Sequence, residues 1–274
     1  MKKPLLSIVT VSYNAAGEIG KTIDSVEAQT WADFEYLFID GASKDDTVAK
    51  IEAHRAAFAE RGISFRVISE PDKGIYDAMN KAIALAEGQW VLMLNAGDIL
   101  AGEYVLERVF RAVPEEAHVL YGHVIVREAK GSRLFYRKVP AKPLDFLDVG
   151  MPFCHQSVFV RREVLAANPF NTRYRIVADY DQFLRIRNGG GVFAPVDVYV
   201  SVFDNAGVSM RHPLKTLQEY DQVRQDLGMG GASGAKEKLM ARGKAALRNT
   251  VKKLLPGLFY SKKRGWQREF PKDI

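Results

Sequence analysis

The stretch "LLSIVTVSYNAAGEIGKT", Leu5 to Thr22, passes from an apolar run through a polar turn into a helical pattern. Its opening mixes leucine with β-branched residues and is interrupted by Ser7, Thr10 and Ser12, which suits a buried strand. Two lysines precede it and small residues follow, as in a secretory signal, but the polar interruptions argue against that reading. Ala15, Gly20, Lys21 and Thr22 also have the spacing of a relaxed phosphate-binding P-loop. A phosphate cradle needs backbone amides free to converge on anionic oxygens, and glycine supplies that freedom. Ala15 stands at the first glycine position and Glu18 would put a carboxylate inside the cradle. The rival reading is the first strand-to-helix junction of another nucleotide-using fold.

The strand, turn, helix pattern recurs up to about Leu100. Strands are expected at Leu5–Ser12, Phe34–Asp40, Ser64–Ser69 and Gln89–Leu94, with helices starting near Glu18, Asp45 and Gly74. Such alternation implies right-handed crossovers and a mostly parallel sheet covered by helices on both faces, an α/β fold. Ligands of such sheets lie beyond the carboxyl ends of the strands. Ser12–Asn14, Asp40–Asp45, Glu70–Lys73 and Asn95–Asp98 are therefore the first candidates. In the third helix Ile75, Ala78, Met79, Ala82, Ile83 and Ala86 form the expected buried stripe.

After Asp98 the alternation loosens. A helix is expected near Glu103–Ala112, then extended or hairpin segments in "VLYGHVIV" and "SRLFYRKV". "ADYDQFLRIRNGG" reads as a helix ending at glycine and "GVFAPVDVYVSVF" as a strand with one break. "GMGGASGA", Gly228 to Ala235, is a Gly-rich joint. The expected organisation is a body over residues 1–230, divided near Asp98, and a tail over 235–274.

With 274 residues, 47% apolar and 26% charged, the chain can bury a large core. Its one cysteine, Cys154, excludes an internal disulfide and a thiolate metal cluster. No apolar run approaches the roughly 18 residues that span a bilayer. The net charge of +6 is unevenly placed: 12 Lys and Arg face 3 Asp and Glu after Ser233, leaving 27 against 30 before it. In the tail, Leu239, Leu247, Val251, Leu254, Leu255 and Leu258 recur at helical spacing between basic residues, a basic amphipathic helix.

"TVSYN", "IDGASKDDT", "EPDKGIYDAMNKAI", "VLMLNAGD", "CHQSVFVRR" and "VADYDQFLRI" occur in this order between Leu5 and Ser209. In order and spacing they resemble the family 2 glycosyltransferases of GT-A fold, most closely the bacterial branch building surface polysaccharides and O-antigen-like glycans. The resemblance implies a GT-A fold over residues 1–230, with a nucleotide-binding half (1–98) and an acceptor and catalytic half (99–230). It implies inverting transfer of a sugar from a nucleotide donor, UDP-linked, to a carbohydrate or polyprenyl-diphosphate-linked acceptor.

The resemblance also assigns residues. Thr10, Tyr13 and Asn14 would grip the nucleoside, with Tyr13 suited to stacking on the base. Asp40 matches the carboxylate that reads a pyrimidine N–H, with Ser43 and Asp72 beside it; a turn Asp capping the following helix is the alternative. Lys73, Asp77 and Asn80 lie at a helix N-terminus, whose free amides suit a diphosphate. "LNAGD" departs from the family's aspartate-rich pattern: Asn95 and Gly97 replace two acids and Asp98 remains as metal ligand. A divalent ion, magnesium or manganese, takes oxygen ligands and can draw most from phosphates and water. Asn95 would add a neutral oxygen or bind sugar hydroxyls. His155 and Gln156 match the family's "HQ" pair, expected on donor sugar or diphosphate. The family's base aligns with Asp179; Asp181 is a second catalytic candidate to which a structural role is also open. Arg185 and Arg187 flank them, and His212 is a further metal-ligand candidate.

The basic tail suits an anionic membrane surface, placing the protein in the cytoplasm, peripheral on the inner face of the cytoplasmic membrane. Packing on the body or on a second subunit, as a homo-oligomer, is the alternative. Nucleic acid is not expected, because stacking aromatics do not interleave the basic residues. An NTPase, a nucleotidyltransferase and an inactive nucleotide-sugar-binding module are the rival functions.

Overall fold

The computed structural model describes residues 3–204, 211–229 and 265–271. In chain order the elements are β1 (Leu6–Ser12), α1 (Ile19–Glu27), β2 (Phe34–Asp40), α2 (Thr47–Glu52), α3 (Arg55–Glu60), β3 (Phe65–Ser69), α4 (Ile75–Leu85) and β4 (Trp90–Met93). There follow β5 (Ile99–Leu100), α5 (Val105–Phe110), β6 (Val119–Lys130), β7 (Arg133–Val139), β8 (Val158–Arg161), α6 (Arg162–Ala167), α7 (Ala178–Asn188), β9 (Phe193–Asp204) and α8 (Pro213–Asp226).

Among the described residues the strands form one sheet of order β3-β2-β1-β4-β8-β6-β9-β5, with β7 paired to β6. The first four pair in parallel, as the alternation requires. β8 then enters antiparallel between β4 and β6, so the sheet is mixed. Every residue of β1 and of β2 is buried, with successive side chains feeding opposite cores. Leu6 and Ile8, with Tyr36 and Phe38, face α1, α3 and α5; Val9 and Val11, with Leu37 and Ile39, face α4 and α7. The break expected in the last strand is a register shift against β6: Tyr121 pairs with Pro195, but His123 pairs with Tyr199. Gly122 sits at the shift, where a Cβ would lie 2.7 Å from the Val198 carbonyl oxygen.

One local expectation is corrected. The buried stripe of α4 begins at Tyr76, and Ile75 is 45% exposed. The Tyr76 hydroxyl donates to the Ile176 carbonyl at 2.8 Å, which turns that ring inward and leaves Ile75 outside. The basic amphipathic helix expected over Leu239 to Leu258 lies outside the described residues, and residues 265–271 lie against β7. Gln267 exchanges two backbone hydrogen bonds with Tyr136 of β7, Phe270 packs edge-on against that ring, and Arg137 lies over Trp266.

At the carboxyl edge, Ser12, Asp40 and Ser69 stand opposite one another on β1, β2 and β3. The fully buried Asp40 carboxylate accepts from the Ser12 and Ser43 hydroxyls at one oxygen, 2.9 and 2.5 Å away. The other oxygen accepts from the Ser69 hydroxyl and the Ser43 amide, both at 2.8 Å. Burial opposes its charge, but the four donors prevail and hold the carboxyl below its ordinary range. Asp40→Asn keeps the volume but offers a donor where the site supplies donors, so at neutral pH it should cost about 1–3 kcal/mol. A group with a depressed folded pKa contributes above its unfolded pKa and loses the contribution as pH falls. Urea unfolding should therefore show the wild-type advantage at pH 7 and its decline below the ordinary value of 3.8.

Candidate active site

The turn after β4 places Asn95 and Asp98 at the sheet edge, closed by the Asp98 amide donating to the Asn95 carbonyl at 3.0 Å. Gly97 takes φ +101°, a conformation only glycine adopts without strain, and its amide donates to the buried Thr22 hydroxyl at 2.9 Å. Across from this turn, β8 is preceded by a short 3-10 helix, His155–Ser157. It presents consecutive side chains to two acids. The Gln156 amide donates to Asp98 Oδ2 at 3.0 Å, and His155 Nδ1 lies 3.3 Å from Asp179 Oδ2 at the start of α7. His155 Nε2 accepts from the Asn95 amide at 2.9 Å, which leaves the ring proton on Nδ1, facing Asp179.

Asp98 is ringed by protein, and that burial, with the charge of Asp204, pushes its carboxyl up to about 6 against the pull of Gln156, His155 and Lys21. Burial and the same two acids, Asp98 and Asp179, push the neighbouring Cys154 thiol up to about 12, so it stays a neutral filler. Arg127 and Asp204 face each other on β6 and β9, with their charged groups 2.6 Å apart. Neither was singled out from sequence; the signal was a charged residue at the end of an apolar strand, legible only once the strands are paired.

The structure divides the expected residues. Asp98, Asn95, Gln156, His155 and Asp179 come together. Tyr13 lies at the carboxyl edge with 62% of its surface exposed, free to stack on a ring. The other expected residues already hold bonds within the chain. Thr10 is fully buried and hydrogen-bonded to Tyr36 and the Leu94 carbonyl, so it braces the core. All four acceptor positions of Asp40 are filled from within the chain. Ser43 and Asn14 tie the loop after β1 to the loop after β2, Asn14 through its amide and through its side chain to Lys44.

At α4, the Lys73 and Gly74 amides are taken by Asp77 and Asp72, and these carboxylates would repel a diphosphate. Asn80 spans the backbone of Phe170 with both ends of its amide. Asp181 is 2% exposed and paired with Arg185 at 2.9 Å, so it anchors α7 rather than facing the cleft. Arg187 pairs with Asp148, and His212 is an exposed cap of α8. The P-loop reading also falls. The Ala15 and Ala16 amides donate to Thr47 and Asp45, and Lys21 pairs with Glu18, leaving no cradle.

The profile described as Glycosyl transferase family 2 matches residues 7–167. The chain is a family 2 glycosyltransferase. The PGL/p-HBAD biosynthesis glycosyltransferase of Mycobacterium bovis is 36% identical to it over 188 residues, which cover 68% of this chain and 70% of that protein. Among solved structures, this glycosyltransferase resembles Staphylococcus aureus TarS 1-349 in complex with UDP-GlcNAc, with a TM-score of 0.59 and 18% identity over 80% of this chain and 64% of that one. It therefore spans just under two thirds of that chain. The mannosyltransferase PcManGT of Pyrobaculum calidifontis, in complex with GDP-Man and Mn2+, superposes with a TM-score of 0.63 and 17% identity over 97% of this chain and 78% of that one. These likenesses establish the GT-A fold. Among the described residues no helix is long and apolar enough to cross a membrane.

The site's residues can be tested for a divalent ion. Among the described residues no three His, Cys, Asp or Glu side chains form a cage, but Asn95 Oδ1 is buried without a hydrogen-bond partner in the turn that carries Asp98. One carboxylate and one unpaired amide oxygen fit an ion that takes its remaining oxygens from a diphosphate and water.

Asp98 also makes the empty site pH-sensitive. A carboxyl with a raised folded pKa contributes stability below its unfolded pKa and loses it as pH rises through the folded value. The ligand-free wild type should thus lose thermal stability between pH 4 and its folded value of about 6. Asp98→Asn should abolish most of that decline and melt at least as high as wild type at pH 8; thermal unfolding of both across this range is the check.

Proposed function

We propose that the chain is an inverting transferase that moves one sugar from a uridine-diphosphate-linked donor to a hydroxyl of a glycan or polyprenyl-diphosphate-linked acceptor in surface polysaccharide assembly. The observation that carries this reading is the pairing of Asp179 and Asp98 through the adjacent His155 and Gln156, which holds a base and a diphosphate-side acid on one rigid strap. Asp179 takes the acceptor's proton, and the acceptor oxygen attacks the anomeric carbon. The bond from that carbon to the diphosphate oxygen breaks, and the nucleoside diphosphate leaves. Asp98 and Asn95 would hold a divalent cation, magnesium or manganese, whose charge would offset that of the leaving diphosphate. His155 keeps Asp179 oriented by donating from Nδ1.

The UDP-GlcNAc of the TarS complex and the Mn2+ of the PcManGT complex support the donor class and the ion, and the relative named for PGL/p-HBAD biosynthesis supports a biosynthetic transferase. Peripheral attachment to the inner face of the cytoplasmic membrane rests on the basic sequence after Ser233.

Hydrolysis of a panel of UDP-sugars in manganese, with water standing in for the acceptor, tests the roles. Asp179→Asn should lower turnover on the order of 10²- to 10⁴-fold while UDP affinity changes little. Asp181→Asn should lower the melting temperature and keep turnover in the folded fraction. Equal turnover in wild type and Asp179→Asn would remove Asp179 as base.

A further inference from the structure

The carboxyl edge of β1, β2 and β3 leaves one hydrogen-bond acceptor unused beside an exposed ring. A methyl group built on Gly41 would lie 2.5 Å from Asp72 Oδ2 and 3.3 Å from the Tyr13 ring. The three residues, each just beyond one of these strands, therefore converge on one point. Asp72 Oδ1 accepts from the Gly74 amide at 2.7 Å, which fixes the carboxylate and leaves Oδ2 without a partner among the described residues. Nearby carboxylates are otherwise committed: Asp40 accepts four bonds from Ser12, Ser43 and Ser69, and Glu70 pairs with Lys81 at 2.7 Å.

Resting on the nucleotide-donor reading above, we infer that Asp72, and not Asp40, reads the nucleobase, accepting the ring N–H of uracil at Oδ2 while Tyr13 covers the base. One fixed acceptor suits a base presenting one ring N–H. Uracil and thymine present it at N3. Cytosine presents a lone pair at the same atom, which a carboxylate oxygen repels. Guanine presents two adjacent N–H groups, and the second would have to share Oδ1 with the Gly74 amide. Gly41 belongs to the device, since its bare α-carbon lets the carboxylate approach.

The geometry makes the reading reversible. In Asp72→Asn the amide oxygen can keep the Gly74 bond, which places NH₂ where Oδ2 was and offers a donor to N3 of cytosine. Affinities of UDP, CDP and GDP, measured by calorimetry with manganese present, decide the matter. Wild type should prefer UDP over CDP by tenfold or more. Asp72→Asn should weaken UDP on the order of tenfold and bind CDP at least as well as UDP. Gly41→Ala should weaken UDP by displacing the carboxylate, with the fold retained by circular dichroism. An unchanged UDP to CDP ratio in Asp72→Asn, or a wild-type preference for GDP, overturns this inference and leaves the transferase standing. Failure of wild type to bind any of the three overturns both.

Discussion

A carboxylate buried without a cation beside it is tolerable only if donors fill its lone pairs. At Asp40 that requirement fixes the register of three strands, because the serines that satisfy it must stand directly opposite on β1 and β3. The loop after β2 is held by the same group through both the amide and the hydroxyl of Ser43. Ala42 takes φ +59° there, a strain on the order of 1–2 kcal/mol that this dense bonding holds in place. The neighbouring loop inherits the order, since Asn14, Ala15 and Ala16 all donate to side chains of residues 43–47. Tyr13 and Gly41 owe their positions to this buried carboxylate and the loops it ties.

A second constraint operates across the cleft. The strap of His155 and Gln156 meets Asp179 with one side chain and Asp98 with the next, so both acids are positioned by a single piece of backbone. That backbone runs directly into β8, the antiparallel strand wedged between β4 and β6. Asp98 and Asp179 are thus both referred to the start of one strand. Burial raises the Asp98 carboxyl to about 6, so its charge at neutral pH is carried at a cost that a nearby positive charge relieves.

The parallel half was legible because strands buried on both faces read as apolar runs and their ends mark the ligand edge. The family motifs located Asp98, Asp179 and the His-Gln pair. Individual roles were harder to read, since a motif does not reveal which lone pairs are already taken. Thr10, Asp40, Asn80 and Asp181 were all plausible ligand contacts, and each proves to be satisfied internally. Ile75 was assigned to the core by period alone, whereas the Tyr76 hydroxyl bond decides the rotation of α4. Arg127 and Asp204 escaped notice because their meeting depends on a pairing of strands distant in sequence.

The position of β8 also governs the order in which the molecule can come into being. Leu92 pairs with Phe159, and Leu120 pairs with the same residue from the other side, so neither neighbour is complete until the chain reaches that point. A chain emerging from the ribosome can pair the parallel strands early, yet it lacks the strap and Asp179 until α7 has followed. The edge that carries Tyr13, Gly41 and Asp72 is therefore early in synthesis, and the contacts of His155 and Gln156 with Asp179 and Asp98 are late.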